Sequence, residues 1–329
     1  VTIRNFVPEI WSNNLLVALR KTLIYAGPGV VNRDYEGEIR EAGDTVRITS
    51  VGRPSIGRYV PGQTRIVPEP LTTAQRTLVV DQADYWSFEV DDVDARQAKG
   101  TFMPEASDEA GYALADKMDQ YVAGLYPAIP VSQRIRPVVI DHGLETAAAL
   151  DMEFRRVYDR ILVPMKVRLD ELNVPVQGRY VVLPPWMHGA LIRDSRFIEN
   201  DKSADPSTLR NGQVGRAAGF DILSSNNTPV ELVDLGADYG GAGVEEANVI
   251  QAGTSRAITW AEQINKTEAF RPESSFSDAI KGLALYGAKV IRPDSLVSAL
   301  AVRRDTVTPI GGGDNGGNGN GGGDGNGGD

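Results

Sequence analysis

Cysteine is absent from the 329-residue chain, which removes disulfides, thiolate metal sites and cysteine nucleophiles together. Histidine is nearly absent: His142 and His188 stand alone, too far apart for the close pair of a helical zinc site. A lone histidine is ordinarily a helix-end or surface residue, so no metal and no cofactor is expected. No apolar run approaches the roughly 20 residues that cross a bilayer, and Val1-Thr2-Ile3-Arg4-Asn5-Phe6 lacks the apolar core of a signal peptide. The expectation is a soluble protein made in the cytoplasm, without a membrane partner. A basic cluster is missing as well. The 34 Lys and Arg are scattered among 44 Asp and Glu, for a net charge of −10, so tight binding of nucleic acid is not expected. An acidic subunit can still enclose DNA without gripping it.

Glycine motifs of nucleotide sites are missing too. Gly27-Pro28-Gly29 and Gly240-Gly241-Ala242-Gly243 lack the dinucleotide fingerprint, and Ala288 follows Gly287 where a phosphate loop requires lysine. Gly52-Arg53-Pro54-Ser55-Ile56-Gly57 is one residue too long for a nucleophile elbow. The acidic run Glu89, Asp91, Asp92 and Asp94 has spacing that can hold a hard cation, but a strand exit or helix cap uses the same residues. No nucleophile and base can be paired, and no residue is expected to be catalytic.

What is present is a folding chain, 41% hydrophobic and 24% charged, with a mixed α+β order. Trp11, Leu15, Leu19 and Leu23 predict a first helix, closed by Gly27-Pro28-Gly29. From Glu36 to Pro70 the residues become Gly, Pro, Arg and β-branched, with a strand at 45–49, as in a long hairpin. A strand is predicted over 77–90, with Trp86, Phe88 and Val90 on one face. The clearest helix runs from Pro104 to about Tyr126, and Leu114, Met118, Tyr121, Val122 and Leu125 form its single apolar stripe. That stripe is expected to pack on the strands around Trp86, Phe88 and 283–291.

A second long helix is predicted over 145–163, with Leu150, Phe154, Val157 and Ile161 on one face, running kinked past Pro164 to Leu172. A strand at Tyr180 to Leu183 precedes a short helix from Trp186 to Arg193. Residues 200–247 read as loop with short strands, before strands near 249–250, 257–260 and 282–291. The final stretch, Gly311 to Asp329, holds 12 Gly, 4 Asn and 3 Asp. It is a flexible tether by composition, or, if ordered, a segment held by neighbouring copies.

Several segments, taken in order, resemble major capsid proteins of tailed bacteriophages, those of actinobacteriophages in particular. They are Phe6-Val7-Pro8-Glu9-Ile10-Trp11-Ser12, Asn32 to Ile39 leading to Gly43-Asp44-Thr45-Val46, and Val90-Asp91-Asp92-Val93-Asp94. Leu183-Pro184-Pro185-Trp186, the run Leu209 to Phe220, and Tyr286-Gly287-Ala288-Lys289-Val290-Ile291-Arg292-Pro293 continue the match. The resemblance implies a Hong Kong 97-like fold: N-arm 1–35, E-loop 36–70, peripheral domain with its spine helix 71–142, axial domain 143–265, a return to the peripheral domain over 266–310, and the Gly-rich tail 311–329. It also implies hexamers and pentamers of one chain tiling an icosahedral shell around double-stranded DNA, in a virion assembled in the cytoplasm of a bacterial host. Implied partners are a portal, a decoration protein and, because the chain starts almost directly at the N-arm, a separate scaffolding protein or a scaffolding segment already removed. Arg40, Arg47, Arg53, Arg58 and Arg65 of the hairpin are expected to meet acidic groups on an adjacent subunit. Two alternatives remain: an encapsulin-type shell around protein cargo, and a secreted or phage-encoded hydrolase that uses Asp91 to Asp94 as a monomer.

Overall fold

The computed structural model describes residues 24–34, 45–51, 54–58, 61, 65, 70, 73–91, 102–144, 146–194, 215–235, 243–272 and 277–305. The expected helix around Trp11 to Leu23, the first half of the Leu209 to Phe220 run and the Gly-rich tail lie outside them. In chain order the strands and helices begin with β1 (Thr45–Val51), β2 (Thr73–Val79), β3 (Gln82–Asp91) and helix α1 (Phe102–Ala123). Then come β4 (Arg134–Asp141), α2 (Ala147–Arg156), a π-helical turn (Val157–Leu162), α3 (Val163–Glu171), β5 (Arg179–Leu183) and α4 (Pro185–Arg193). The strands β6 (Arg216–Ala217), β7 (Phe220–Ser224), β8 (Val230–Asp234), β9 (Val244–Thr254), β10 (Ile258–Phe270), β11 (Ser277–Val290) and β12 (Leu296–Arg304) follow.

These strands form three sheets: β1-β2, β10-β11-β3, and β4-β12-β9-β5-β7-β6 with β8 added to β9. Helix α1 shares one core with the three-stranded sheet and with one face of the large sheet. Its residues Leu114, Met118 and Val122 are buried against that core, which includes Trp260, Ala284, Tyr286, Tyr180 and Val182. Tyr121, Leu125 and Trp86 are partly buried against it, and Tyr121 meets Tyr286 edge-on with ring centroids 5.4 Å apart. Phe88 is half-buried and stacks on Trp86. Trp86 lies over Gly282, its register partner on β11, in space that any Cβ would occupy. The helix ends at Gly124, and the amide of buried Gln251 on β9 donates 2.7 Å to the carbonyl of Ala123, one of the helix's orphan acceptors.

The opposite face of the large sheet packs under α2, α3 and α4. Along β12, Val297, Ala299 and Ala301 face those helices, while Leu296 faces the α1 core. All five residues of β5 are buried, as expected for a strand covered on both faces. The long helix past residue 145 does continue to Glu171, and the π-helical turn explains how. Val163 donates to the carbonyl of Tyr158, five residues back, so the wider turn just before Pro164 absorbs the missing proline N–H.

Three expectations need correction. The strand predicted over 77–90 is two strands, because the chain breaks at Val80-Asp81: β2 pairs with β1, and β3 pairs with β11. The hairpin is consequently longer than 36–70, with paired arms running from Thr45 opposite Val79 to Val51 opposite Thr73. Residues 266–310 do not return to one sheet: β11 lies beside β3, but β12 inserts between β4 and β9 of the large sheet. The reason is composition, since the apolar run Leu296 to Val302 suits a central strand whose two faces are both covered, the place it takes between the cores on either side of the large sheet. Strand β4, unrecognised in the sequence, carries Pro137, which an edge strand tolerates.

A buried carboxylate ties these parts together. Asp119 is 2% exposed on α1 and its Oδ1 accepts the backbone N–H groups of Ile24 at 2.9 Å and Tyr25 at 2.5 Å. Its Oδ2 accepts from Asn227 Nδ2 at 3.1 Å, and Ser225 Oγ stands at 3.4 Å. From there residues 24–34 run on to β10, where Asn32 bridges Thr259 and Arg33 reaches both the carbonyl of Ala26 and the carboxylate of Glu262.

Leu114→Ala and Met118→Ala should each cost about 2–5 kcal/mol in chemical unfolding of the isolated chain. Tyr112→Ala, on the exposed side of the same helix, should stay within about 0.5 kcal/mol. Equal effects at all three positions would mean that the buried face of α1 is misassigned.

Asp119→Ala should cost on the order of 3 kcal/mol, because it strands donors from two distant parts of the chain, Tyr25 and Ser225 among them buried. Hydrogen exchange at Tyr25 should accelerate in the same variant. A stability loss below about 1 kcal/mol would show that water takes over the carboxylate's role.

Candidate functional site

Groups with chemical potential are dispersed in this fold. His142 follows β4 with its ring against Phe154 and Trp186, at centroid distances of 5.1 and 5.3 Å. Burial lowers its pKa from the ordinary imidazole value, and the neighbouring Arg303 lowers it further. Burial also lowers the pKa of His188 on α4. Among the described residues no group of three or more His, Asp and Glu side chains could hold a metal. Of the acidic run, Asp91 closes β3 opposite Ser277, and Glu89 lies 3.4 Å from Ser277 Oγ. Asp92 and Asp94 lie outside the described residues.

Asp84 shows how such charges are used instead. Burial works against its carboxylate, yet hydrogen bonds from Lys117 and Tyr286 leave its pKa below the usual value. Lys117 Nζ stands 2.7 Å from Oδ1, and Tyr286 donates to Oδ2. The group therefore fastens α1 to β3 and β11, a structural task.

The features that stand away from the cores are surfaces. The β1–β2 ladder is a two-stranded sheet of seven residue pairs, separate from the other sheets. Its base is anchored where Leu78 and Val80 bury against Ala261, Leu285 and Ile291. Gly287 makes this crossing possible, since a Cβ there would lie about 3.0 Å from the Cα of Val80. Lys289 Nζ also donates to the carbonyl of Thr77 at 2.7 Å. Beyond the ladder, residues 54–58, 61, 65 and 70 are all exposed, Ile56 at 97%.

Of the five arginines expected to make contacts, Arg58 and Arg65 lie on this exposed stretch, and Arg47 sits in β1 opposite Thr77. Arg40 and Arg53 lie outside the described residues. A second outward surface is the β8–β9 ribbon, where Val230, Leu232 and Val244 are 54%, 68% and 63% exposed. Register places them on one face, beside the exposed Glu246 and Asp234, so that large apolar side chains stand in water there among acidic ones.

Sequence reasoning missed Asp119, although a signal was there: it follows Ala115 by four residues and precedes Val122 by three, both buried. It missed the Arg33–Glu262 pair altogether, because partners 229 residues apart leave no local pattern.

Comparison with known proteins identifies the family to which this fold belongs. The family described as phage capsid protein matches residues 72–299. The solved structure of Mycobacterium phage Che8 is similar at 26% identity with a TM-score of 0.60, covering 91% of this chain and 98% of that one. The capsid structure of the cyanophage P-SCSP1u gives a TM-score of 0.60 at 20% identity, covering 80% of this chain and 85% of that one. The mature capsid of bacteriophage PhiM1 gives 0.55 at 19%, covering 78% and 82% respectively. No curated protein sequence matches the chain. With residues 72–299 matched by the family and the fold shared with solved tailed-phage capsid structures, the chain belongs to the phage capsid protein family and has the Hong Kong 97-like fold of major capsid proteins.

Proposed function

We propose that this capsid shell protein assembles into hexamers and pentamers of an icosahedral shell that encloses double-stranded DNA. The observation that carries this reading is the β1–β2 hairpin. An isolated two-stranded ribbon is marginal in water, and among the described residues this one is anchored at its base, with those of its tip exposed. Such an element gains stability by lying on another surface, and closed symmetry supplies the same surface on every neighbouring copy.

Charge supports the same arrangement. The tip carries Arg58 and Arg65, while the chain as a whole has a net charge of −10, so an acidic neighbour is the favourable landing place. The exposed strip of Val230, Leu232 and Val244 offers a second contact, apolar where the first is polar. In this reading Arg40, Arg47 and Arg53 extend the basic hairpin, no residue is catalytic, and the packaged DNA is held without specific binding. The partners proposed for such a shell are a portal and a separate scaffolding protein or a scaffolding segment already removed, with a decoration protein as an optional addition.

Negative-stain microscopy of the expressed chain should show regular shells. Arg58→Glu with Arg65→Glu should reduce shell yield by roughly tenfold or more, because like charges meet at every copy of the contact, while the melting of the isolated subunit stays unchanged. Shells formed at normal yield would detach the hairpin arginines from assembly. Particles filled with an enzyme and free of nucleic acid would favour the encapsulin-type reading.

Mature particles boiled in detergent should release a single band near 35.5 kDa. The chain has no cysteine, and no lysine between Lys21 and Lys99 from which the hairpin could form an isopeptide bond. A ladder of multimers would reveal a covalent link from another segment.

A further inference from the structure

On its helix-covered side, the large sheet carries two different surfaces at opposite ends of one row of residues. Val138 of β4 is the register partner of Ala301 on β12, Ala301 of Asn248 on β9, and Asn248 of Val230 on β8. The row spans three strand spacings, or roughly 14 Å. Helices cover its middle, since Ala301 belongs to their core and Trp186 Nε1 on α4 donates 3.0 Å to Asn248 Oδ1. Each end opens on a surface of its own.

At the β4 end lies a groove of about 870 Å3, between that strand and the helical run that carries Glu153, Arg156, Arg160 and Pro164. Its lining holds four arginines against two acids, Asp141 and Glu153. Arg156 is paired with Glu153 and Arg304 with Glu245, which leaves Arg136 and Arg160, both exposed, as the surplus charge. Ile135, Val138 and Pro164 belong to its apolar lining. The groove does not take a further strand, because the Asp141 N–H donates to Glu153 at 3.3 Å and the Val139 carbonyl accepts from Arg156 at 3.2 Å. A partner must meet it with side chains.

At the β8 end the charge is reversed. Leu232 and Val244 stand in water there beside Asp234 and Glu246, on the face that the register shares with Val230. Apolar side chains with acidic neighbours are complementary to an apolar surface with basic neighbours, and the groove at the other end of the row is one. A body with complementary surfaces on opposite flanks joins head to tail, each copy giving one surface and taking the other.

We propose that within one ring of the shell the β8–β9 ribbon of each copy seats Leu232 and Val244 in the β4 groove of the next, with Asp234 and Glu246 meeting Arg136 and Arg160. The contact rests on the shell reading above and adds to it the two surfaces that build a hexamer or pentamer. Its charges are not those of the hairpin, so the two contacts can be broken separately.

Charge reversal in the full chain tests the pairing. Arg136→Glu with Arg160→Glu should lower shell yield roughly tenfold or more, with subunit melting unchanged because both positions are exposed. Adding Asp234→Arg and Glu246→Arg should return the yield to within about twofold of the parent. Shells at parent yield in the first variant, or no recovery in the second, would overturn the pairing. Recovery of Arg58→Glu with Arg65→Glu by the same two reversals would give the ribbon to a neighbour's hairpin and overturn it as well.

A cross-link reads the contact without charge changes and whether or not shells close. The cysteine-free chain takes Pro164→Cys and Leu232→Cys together, and treatment with a short bis-maleimide should give a covalent ladder that ends at five or six chains. Either cysteine alone should give neither ladder nor dimers. A double variant that stays monomeric, dimers from a single cysteine, or a ladder without an end would each overturn the contact. Closed shells without the ladder would leave the shell reading standing and remove this contact. A ladder of five or six chains without closed shells would do the reverse.

Discussion

The architecture depends on one carboxylate in the middle of α1. Asp119 sits where the helix faces inward, at a depth that would be expensive for a charge without partners, and it receives hydrogen bonds from Ile24, Tyr25 and Asn227. Those donors belong to segments about 95 and 108 residues away in the chain. Because α1 lies between the three-stranded sheet and the large sheet, the group positions the early segment at one sheet and the Ser225–Asn227 turn beside the other. Apolar packing gives the helix its energy and the carboxylate gives it a unique seat. Burial against Asp119 also pushes the Tyr25 hydroxyl well above its ordinary pKa, with desolvation as the larger cause.

What the sequence disclosed follows from the range of each signal. The stripe of α1 and the apolar β5 are local periodicities, and both elements form where those patterns lie. The break at Val80-Asp81 left no turn signal of Gly or Pro, so two strands looked like one. Strand β4 carries Arg134, Arg136 and Pro137, a pattern that resembles a loop until its parallel partner β12, about 160 residues later, is in place. The outward surfaces were only half legible: arginine content marked the hairpin, but nothing local marked the strip of Val230, Leu232 and Val244, which requires β8 and β9 in register. The family resemblance filled part of that gap because it integrates weak motifs over the whole chain.

A shell protein needs a rigid body and projecting elements that are incomplete on their own, and the two are separated here. Rigidity resides in cores that lie on both sides of the large sheet, with the π-helical turn letting one continuous helical run cover most of one face. The projecting β1–β2 ribbon is joined to that body by a small cluster of five buried residues, Leu78, Val80, Ala261, Leu285 and Ile291. That joint is small beside the two cores of the body, so the ribbon adds little to the body's own stability and leaves its surface to be covered from outside.

Strand β12 has a consequence for the order of events during synthesis. It lies between β4 and β9 in the large sheet, yet it follows every other strand of that sheet in the chain. While a ribosome is still translating residues before 296, β4 has no neighbour and one edge of β9 is open, so the sheet cannot close. A nascent or prematurely terminated chain therefore lacks the finished body that carries the contact surfaces.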